Sequence, residues 1–344
     1  MQRICESLSS FGYNVILCGR ELQHSLPLTT KKFEQHRLRC YFNKGKLFYI
    51  EFNIRLFFFL LKHHFDAVNA VDLDTALAAL FSSKLKQKKL IYDAHELFTE
   101  VPEVVNRPFT KKVWEWVEAL FVPRTNLAYT VSQSIANVLS QKHHKQFFVI
   151  RNVPLLTQQK AQQKERAIIY QGALNEGRGL EFLIQAMQAI DAQLWIAGDG
   201  DIAQKLKIMV QQLNLENKVL FLGKLSPEKL AEKTQQAIAG FNALEPKGLS
   251  YYYSLSNKTF DYIHAEIPQV ISAFPEMKKL NEQFHFAIEI NNLSPLEISN
   301  AFNGLLSDEK LCETLSKNCA KAKQILNWQS ESQQLKKIYE QLLG

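Results

Sequence analysis

The sequence predicts an α/β protein built from two doubly wound, Rossmann-like parallel sheets. Three observations lead there. Short apolar runs of strand length alternate with longer helical patterns, as a parallel sheet with helices on both faces requires. The series stops at a polar stretch, residues 157–165 (TQQKAQQKE), and then begins afresh. The 344 residues, 46% of them hydrophobic, are enough for two domains of ordinary size, each with its own core. The expected domains are residues 1–155 and 166–327, with a terminal helix over 328–344. Two such domains would face each other across a cleft at the C-terminal ends of their strands, where open α/β sheets bind ligands.

In the first half, MQRICESLSSFGYNV reads as a polar-faced helix running into a strand, so a signal peptide is not expected there. Strands are expected at 13–18, 65–70, 89–92, 127–131 and 147–150, each a short run rich in apolar and β-branched or aromatic residues. Helical patterns fill the gaps at 47–62, 75–86, 110–121 and 132–140, and Ser132 after a buried strand is a good N-cap. Asn152-Val153-Pro154 and the polar stretch then form a linker.

The second half offers six strands, at 167–170, 193–197, 218–222, 237–243, 269–272 and 287–290. Ser226-Pro227 reads as an N-cap followed by proline at the first helical position. Ser294 and Glu297 have the spacing of a capping box. Helical patterns continue to about Leu343.

Composition narrows the function. The five cysteines, Cys5, Cys18, Cys40, Cys312 and Cys319, show no C-x-x-C pair, which fits reduced thiols in the cytoplasm. No metal-ligand set is evident, and His63-His64 and His143-His144 are adjacent pairs on different faces. The longest apolar run, Leu56 to Leu61, falls far short of the roughly 20 residues that span a bilayer. Charge is lopsided: residues 1–152 hold 21 Lys/Arg against 13 Asp/Glu, and residues 153–344 hold 20 against 21. That basic first half is either a solvated face or a patch for an anionic surface, which would place the protein at the inner face of the plasma membrane. No nucleic-acid module is recognisable, so nucleic acid is not an expected partner.

Three constellations carry chemistry. Ser256, Asn257 and Lys258 stand where a helix opens after a loop, so free backbone N–H groups and a cation point at one place, the geometry that holds phosphate. Asp261 follows one turn later, within reach of sugar hydroxyls beside that phosphate. The same residues would also serve as a capped helix with a surface lysine. Gly172 to Leu180 (GALNEGRGL) is a strand-to-helix loop whose glycines admit a close ligand and whose Arg178 can bind two oxygens at once. Neither G-x-G-x-x-G nor a P-loop is present. Gly198-Asp199-Gly200 is another turn at a strand end, equally consistent with a nucleotide contact or a plain tight turn. In the first half, His95 directly follows a strand with Asp93, Glu96 and Glu100 nearby. It would orient an acceptor or polarise a sugar hydroxyl, its tautomer fixed by Asp93 or Glu96. Asp72 and Asp74 also follow a strand and would line the same rim.

The runs YDAHELFTEVPEVVNRP, YQGALNEGRGLEFLIQAM, WIAGDGD, SNKTFDYIHAEIPQVIS and LNWQSESQQLKKIYEQLL, in that order, resemble glycosyltransferase family 4 over nearly the whole chain. The resemblance implies a retaining enzyme of the GT-B fold, with a nucleotide-diphospho-sugar donor held by the C-terminal domain and an acceptor met by the N-terminal one. It also implies that the last helix crosses back to the first domain. Under it, Arg178 matches the basic residue on the donor diphosphate and Lys258 the start of the phosphate-binding helix. Asp261 matches the second acidic residue of a paired motif, at the ribose hydroxyls, and His95 the histidine near the reacting sugar.

Three departures accompany the resemblance. The first acidic residue of the pair should lie eight positions before Asp261, where Tyr253 stands. The basic residue expected just after Gly172 is Ala173. Family members begin with a strand, whereas residues 1–5 already read as the following helix, so a missing first strand or a start placed too late is expected.

These readings converge on a metal-independent transferase without cofactor. It would move a sugar from a nucleotide-diphospho-sugar to a glycan or lipid-linked acceptor, in envelope polysaccharide or glycolipid synthesis. The rivals are an epimerase of the same fold and a non-catalytic scaffold subunit, the latter favoured by Tyr253.

Overall fold

The computed structural model describes residues 1–23, 25–157 and 162–344, so residues 158–161 of the expected linker lie outside the described residues. The chain divides into two compact units: Met1–Arg151 with Glu331–Gly344, and Asn152–Ser330.

The first unit runs α1 (Gln2–Ser10), β1 (Ile16–Glu21), β2 (Glu34–Arg39), α2 (Gly45–Lys62), β3 (Ala67–Val71), α3 (Ala76–Lys86), β4 (Lys89–Ala94), α4 (Pro102–Val105), α5 (Pro108–Phe121), β5 (Leu127–Thr130), α6 (Gln133–His143) and β6 (Phe148–Val149). Strands β3-β4-β5-β6 form one parallel sheet. Its centre is fully buried: Ile91 and Tyr92 of β4 are covered, and Tyr92 meets the edge of Phe121 at 5.2 Å. Ser132 caps α6 as expected, its Oγ accepting from the N–H of Ile135, and His144 ends the helix in the left-handed region.

Two expectations for this unit need correction. The first strand lies at Ile16–Glu21 rather than 13–18, and β2, reading EQHRLR, was not expected at all. The apolar run that marks β1 ends at Cys18, while the strand continues through Gly19-Arg20-Glu21, and half-exposed β2 carries no apolar run by which a strand is recognised. Among the described residues these two strands pair only with each other, and β3 is an edge strand. The first unit therefore holds two sheets rather than one.

The second unit runs β7 (Ala167–Gln171), α7 (Leu180–Ala186), β8 (Gln193–Ala197), α8 (Ala203–Gln212), β9 (Val219–Gly223), α9 (Pro227–Gln236), β10 (Ala239–Asn242), α10 (Leu249–Tyr252), α11 (Asn257–His264), β11 (Gln269–Ser272), α12 (Pro275–Phe284), β12 (Ala287–Ile290), α13 (Pro295–Ser307) and α14 (Glu309–Ile325). Helix α15 (Trp328–Leu343) starts here and ends in the first unit. All six expected strands are present, paired in parallel in the order β12-β11-β10-β7-β8-β9.

Every residue of β7 is buried because both faces of the sheet are covered. Ile168 and Tyr170 pack with Leu183 and Phe302 on one side, while Ala167 and Ile169 pack with Trp195 and Tyr262 on the other. Ser294 and Ser226 cap α13 and α9 as expected. Glu297, however, accepts from the N–H groups of Asn291 and Asn292, just outside the helix.

The chain reverses its direction of travel across this sheet between β7 and β10. That is the topological switch point, where an open α/β sheet leaves room for a ligand at its C-terminal edge.

Candidate functional site

The loops after β7 and β10 open at this switch point, and one side chain locks the arrangement. Gly240 of β10 has no Cβ because Tyr262 lies over it: an added carbon would sit 2.5 Å from the ring. The Tyr262 hydroxyl donates toward the carbonyls of Ile169 and Phe241 and accepts from the N–H of Gln171, joining β7, β10 and α11. Lys258, one turn before Tyr262 on α11, is thereby held at the joint.

The start of α11 departs from the simplest expectation. Ser256 occupies the cap position, but its hydroxyl donates to Asn242 Oδ1 at 2.8 Å and makes no side-chain cap bond. The Thr259 N–H donates to the Ser256 carbonyl instead, so the first turn of the helix offers a ligand the N–H groups of Asn257 and Lys258. Lys258 sits within that turn, 7% exposed, and its Nζ has no hydrogen-bond partner. It lies 4.1 Å above the ring of Tyr170. Burial, with Arg178 nearby, holds its pKa well below that of an ordinary lysine.

Arg178 comes from the other loop, just ahead of α7. Its guanidinium stands 4.7 Å from the ring of Tyr251, and its Nε is buried without a hydrogen-bond partner. Gly177 and Gly179, on either side, have φ of +81° and +69°, which only glycine adopts without strain. The structure thus brings two cations from distant parts of the sequence together, each facing an aromatic ring.

The remaining candidates are placed differently. Gly198 and Gly200 answer to packing: a Cβ on Gly198 would lie 1.9 Å from the Gly172 carbonyl oxygen, and one on Gly200 would lie 2.5 Å from that of Leu174. These glycines shape the Gly172 loop from behind. Asp199 Oδ1 accepts from the N–H of Gly200, and its carboxylate pairs with exposed Lys224. Asn257 Oδ1 accepts from Asn152. Asp261 Oδ2 accepts from Gln171 Nε2 at 2.8 Å, and Gln171 in turn accepts from Thr234, so Asp261 is held at the end of β7. Tyr253, in the acidic residue's place, lies beside Tyr252.

In the first unit His95 follows β4 as expected, and Asp93 and Asp72 define its surroundings. Asp93 is buried and its Oδ1 lies 3.2 Å from His95 Nε2. Asp72 Oδ1 accepts from the backbone N–H of His95, while the N–H of Asp72 donates to the Asp93 carbonyl. Asp72 adopts φ 52°, ψ −178°, a region that side chains other than glycine avoid and that concentrates at functional sites. Burial alone would lower the His95 pKa, but the contact with Asp93 and the charge of Asp72 outweigh it and raise it to about 9. Burial pushes Asp72 up to about 7, against the pull of His95. Asp74 takes another role, its carbonyl accepting from Asn53. The neighbouring pair His143-His144 is structural at least in part: His143 and Lys142 both contact buried Glu118. Among the described residues no cluster of three or more His, Cys, Asp or Glu could hold a metal.

Comparison with known proteins identifies the family and the fold. Residues 1–153 match glycosyltransferase family 4, and residues 155–322 match the glycosyl transferases group 1. The chain belongs to glycosyltransferase family 4. A curated relative, an uncharacterized glycosyltransferase of Methanocaldococcus jannaschii, is 27% identical over 166 residues, which is 46% of this chain and 40% of that one. The chain thus spans well under half the length of that relative. A sucrose-phosphate synthase from Thermosynechococcus elongatus superposes with a TM-score of 0.82 over 99% of this chain and 92% of its own, at 19% identity. HepE of Anabaena, solved with UDP and glucose, gives 0.74 over 90% and 86% at 16% identity. WaaG, a glycosyltransferase involved in lipopolysaccharide biosynthesis, gives 0.69 over 99% and 94% at 13% identity. At such identities these three establish the fold, GT-B, for this family member.

Sequence reasoning left out the rings of Tyr170 and Tyr251 and the clamp formed by Gly240 and Tyr262. Tyr251 stands 73 residues from Arg178, and Tyr170 stands 88 from Lys258. No local pattern announces a pairing across such a distance.

Proposed function

We propose that this family member is a retaining glycosyltransferase that binds a nucleoside-diphospho-sugar in its second unit and transfers the sugar to a glycan or lipid-linked acceptor. The observation that carries the reading is the pair Lys258 and Arg178, two cations gathered at the switch point with buried donor atoms lacking partners. Nitrogens kept out of water without an anion cost stability unless a ligand supplies the charge. A diphosphate does so, and the open first turn of α11 adds backbone N–H donors. The UDP complex of HepE supports the choice of ligand.

In the transfer, the bond between the anomeric carbon and the diphosphate oxygen breaks, and its electron pair leaves with the phosphate. Arg178 and Lys258 stabilise that growing charge, the part a metal ion would otherwise play. The acceptor oxygen attacks on the same face, and its proton passes to the departing phosphate oxygen. His95, protonated and aimed by Asp93, donates to a sugar hydroxyl rather than acting as a base. Asp261 offers its carboxylate to the ribose, and Gly172 lets the loop approach the diphosphate. The basic first half and the likeness to WaaG favour an acceptor in envelope polysaccharide or glycolipid synthesis, met at the cytoplasmic membrane surface.

The test incubates the protein with uridine, guanosine and adenosine diphosphate sugars and a mixed glycan and glycolipid acceptor panel. Release of nucleoside diphosphate should require an acceptor, and the product anomer should match the donor's by NMR. Inversion would reject the retaining mechanism, and turnover without acceptor would favour the epimerase. Tyr253, standing where a carboxylate was expected, favours a second reading, a non-catalytic subunit. That reading gains if nucleotide binds and nothing turns over.

A further inference from the structure

We propose that a pocket between α2, α3 and α5 of the first unit takes one hydrocarbon chain of an anionic membrane phospholipid. This deepens the membrane contact suggested above by giving it a site and a ligand, and its readout does not depend on sugar transfer. The cavity measures about 750 Å³, within the range of pockets for lipid- or drug-sized ligands. Its walls are almost wholly apolar, from Ile50, Ile54 and Phe58 on α2, Phe81 on α3, and Phe109 and Trp114 on α5. Asn53 also faces it, but its amide is turned inward, bonded to Ala78, Tyr49 and Asp74. Trp114 is fixed edge-on between Tyr49 and Phe98.

Helix α2 gives the second argument. It is apolar nearly all round, a composition that belongs in a core or in lipid. Phe52 and Leu56 are buried, yet Ile50, Ile54 and Phe58 on another face are each more than half exposed. Phe81, Leu85, Phe109 and Trp116 extend the same apolar exposure onto α3 and α5. A patch of this kind on a lone protein marks a docking surface.

Charge selects the occupant. Among the described residues no acidic side chain lines the pocket, while Lys46 and Arg107 do, with Lys46 4.6 Å from the ring of Phe109. Lys84 and Lys112 adjoin the apolar residues of α3 and α5 in sequence, and the first half of the chain carries a surplus of eight positive charges. Apolar side chains fringed by lysine and arginine suit a leaflet surface, with the chain in the pocket and the phosphate at its lip.

The experiment floats the full chain with phosphatidylcholine vesicles, with and without phosphatidylglycerol, some carrying bromine midway along the acyl chains. Trp116→Phe leaves Trp114 as the sole tryptophan of the first unit, since Trp195 and Trp328 are buried in the second. Bromine should quench Trp114 in vesicles that contain phosphatidylglycerol. Ile54→Glu should cut vesicle binding by about tenfold or more through a charge in the apolar face, while Ile325→Glu, equally exposed on the second unit, should leave it unchanged. Flotation without quenching would overturn the pocket in favour of plain surface charge. Binding unaffected by Ile54→Glu would overturn it as well. A dimer that Ile54→Glu dissolves, with no vesicle binding, would give the face to a second copy. Should Ile54→Glu fail to fold, the quenching of Trp114 alone decides.

Discussion

Lys258 and His95 are both cations placed by burial, with opposite consequences. His95 has carboxylates against it, so its folded pKa is raised above the unfolded value of about 6.5. The stability it contributes is full below that value and is lost as pH rises through about 9. An NMR titration should therefore find His95 still protonated at neutral pH. Asp93→Asn should return its midpoint toward 6.5, and a midpoint unmoved by that change would remove Asp93 from its role.

Lys258 runs the other way. Its folded pKa is depressed, so the unfolded chain binds more protons and ligand-free stability rises with pH until the unfolded lysine also loses its proton. Lys258→Met should accordingly raise ligand-free stability by about 1 kcal/mol, because a buried unpaired polar group is replaced by an apolar one of similar length. A loss of stability in urea unfolding would mean that Lys258 serves the fold. At this scale the sequence showed which residues had suitable chemistry, through Arg178, Lys258 and His95. It did not show that Asp261 would be held by Gln171 or that Ser256 would turn to Asn242, since those partners come from other strands.

Elements were legible in proportion to their burial. The strands of the second unit stand out because a parallel sheet covered on both faces reads as unbroken apolar runs, as in AIIY and QLWIA. Strand β2 is half-exposed and polar, so it left no such trace, and β1 showed only its apolar start. A two-stranded sheet is also marginal by itself. Amide hydrogens of β1 and β2 should exchange about tenfold or more faster than those of β4 and β8, reflecting local opening below the global stability. Equal protection would show that the small sheet shares the cooperative core of the first unit. Helix α2 shows the converse: its sequence is nearly unbroken apolar, yet Ile50, Ile54 and Phe58 face solvent.

For the whole molecule, the repetition of the alternating series was enough to expect two α/β units, and the order of the motifs was enough to expect the family. Charge asymmetry was equally plain, with the surplus confined to the first half. What the sequence lacked was the meeting of β7 with β10, the long-range pairing that sets Arg178 beside the start of α11. The most direct measurement of the central claim is the melting temperature of the protein with a panel of nucleoside diphosphates and their sugars, beside Arg178→Ala and Lys258→Met. A ligand at about 100 times its Kd adds about 2.7 kcal/mol to the native state. The expected result is a clear rise with one nucleotide, absent in both variants although both remain folded. A rise of equal size in the variants, or none with any nucleotide in the folded wild-type chain, would contradict the donor site described here.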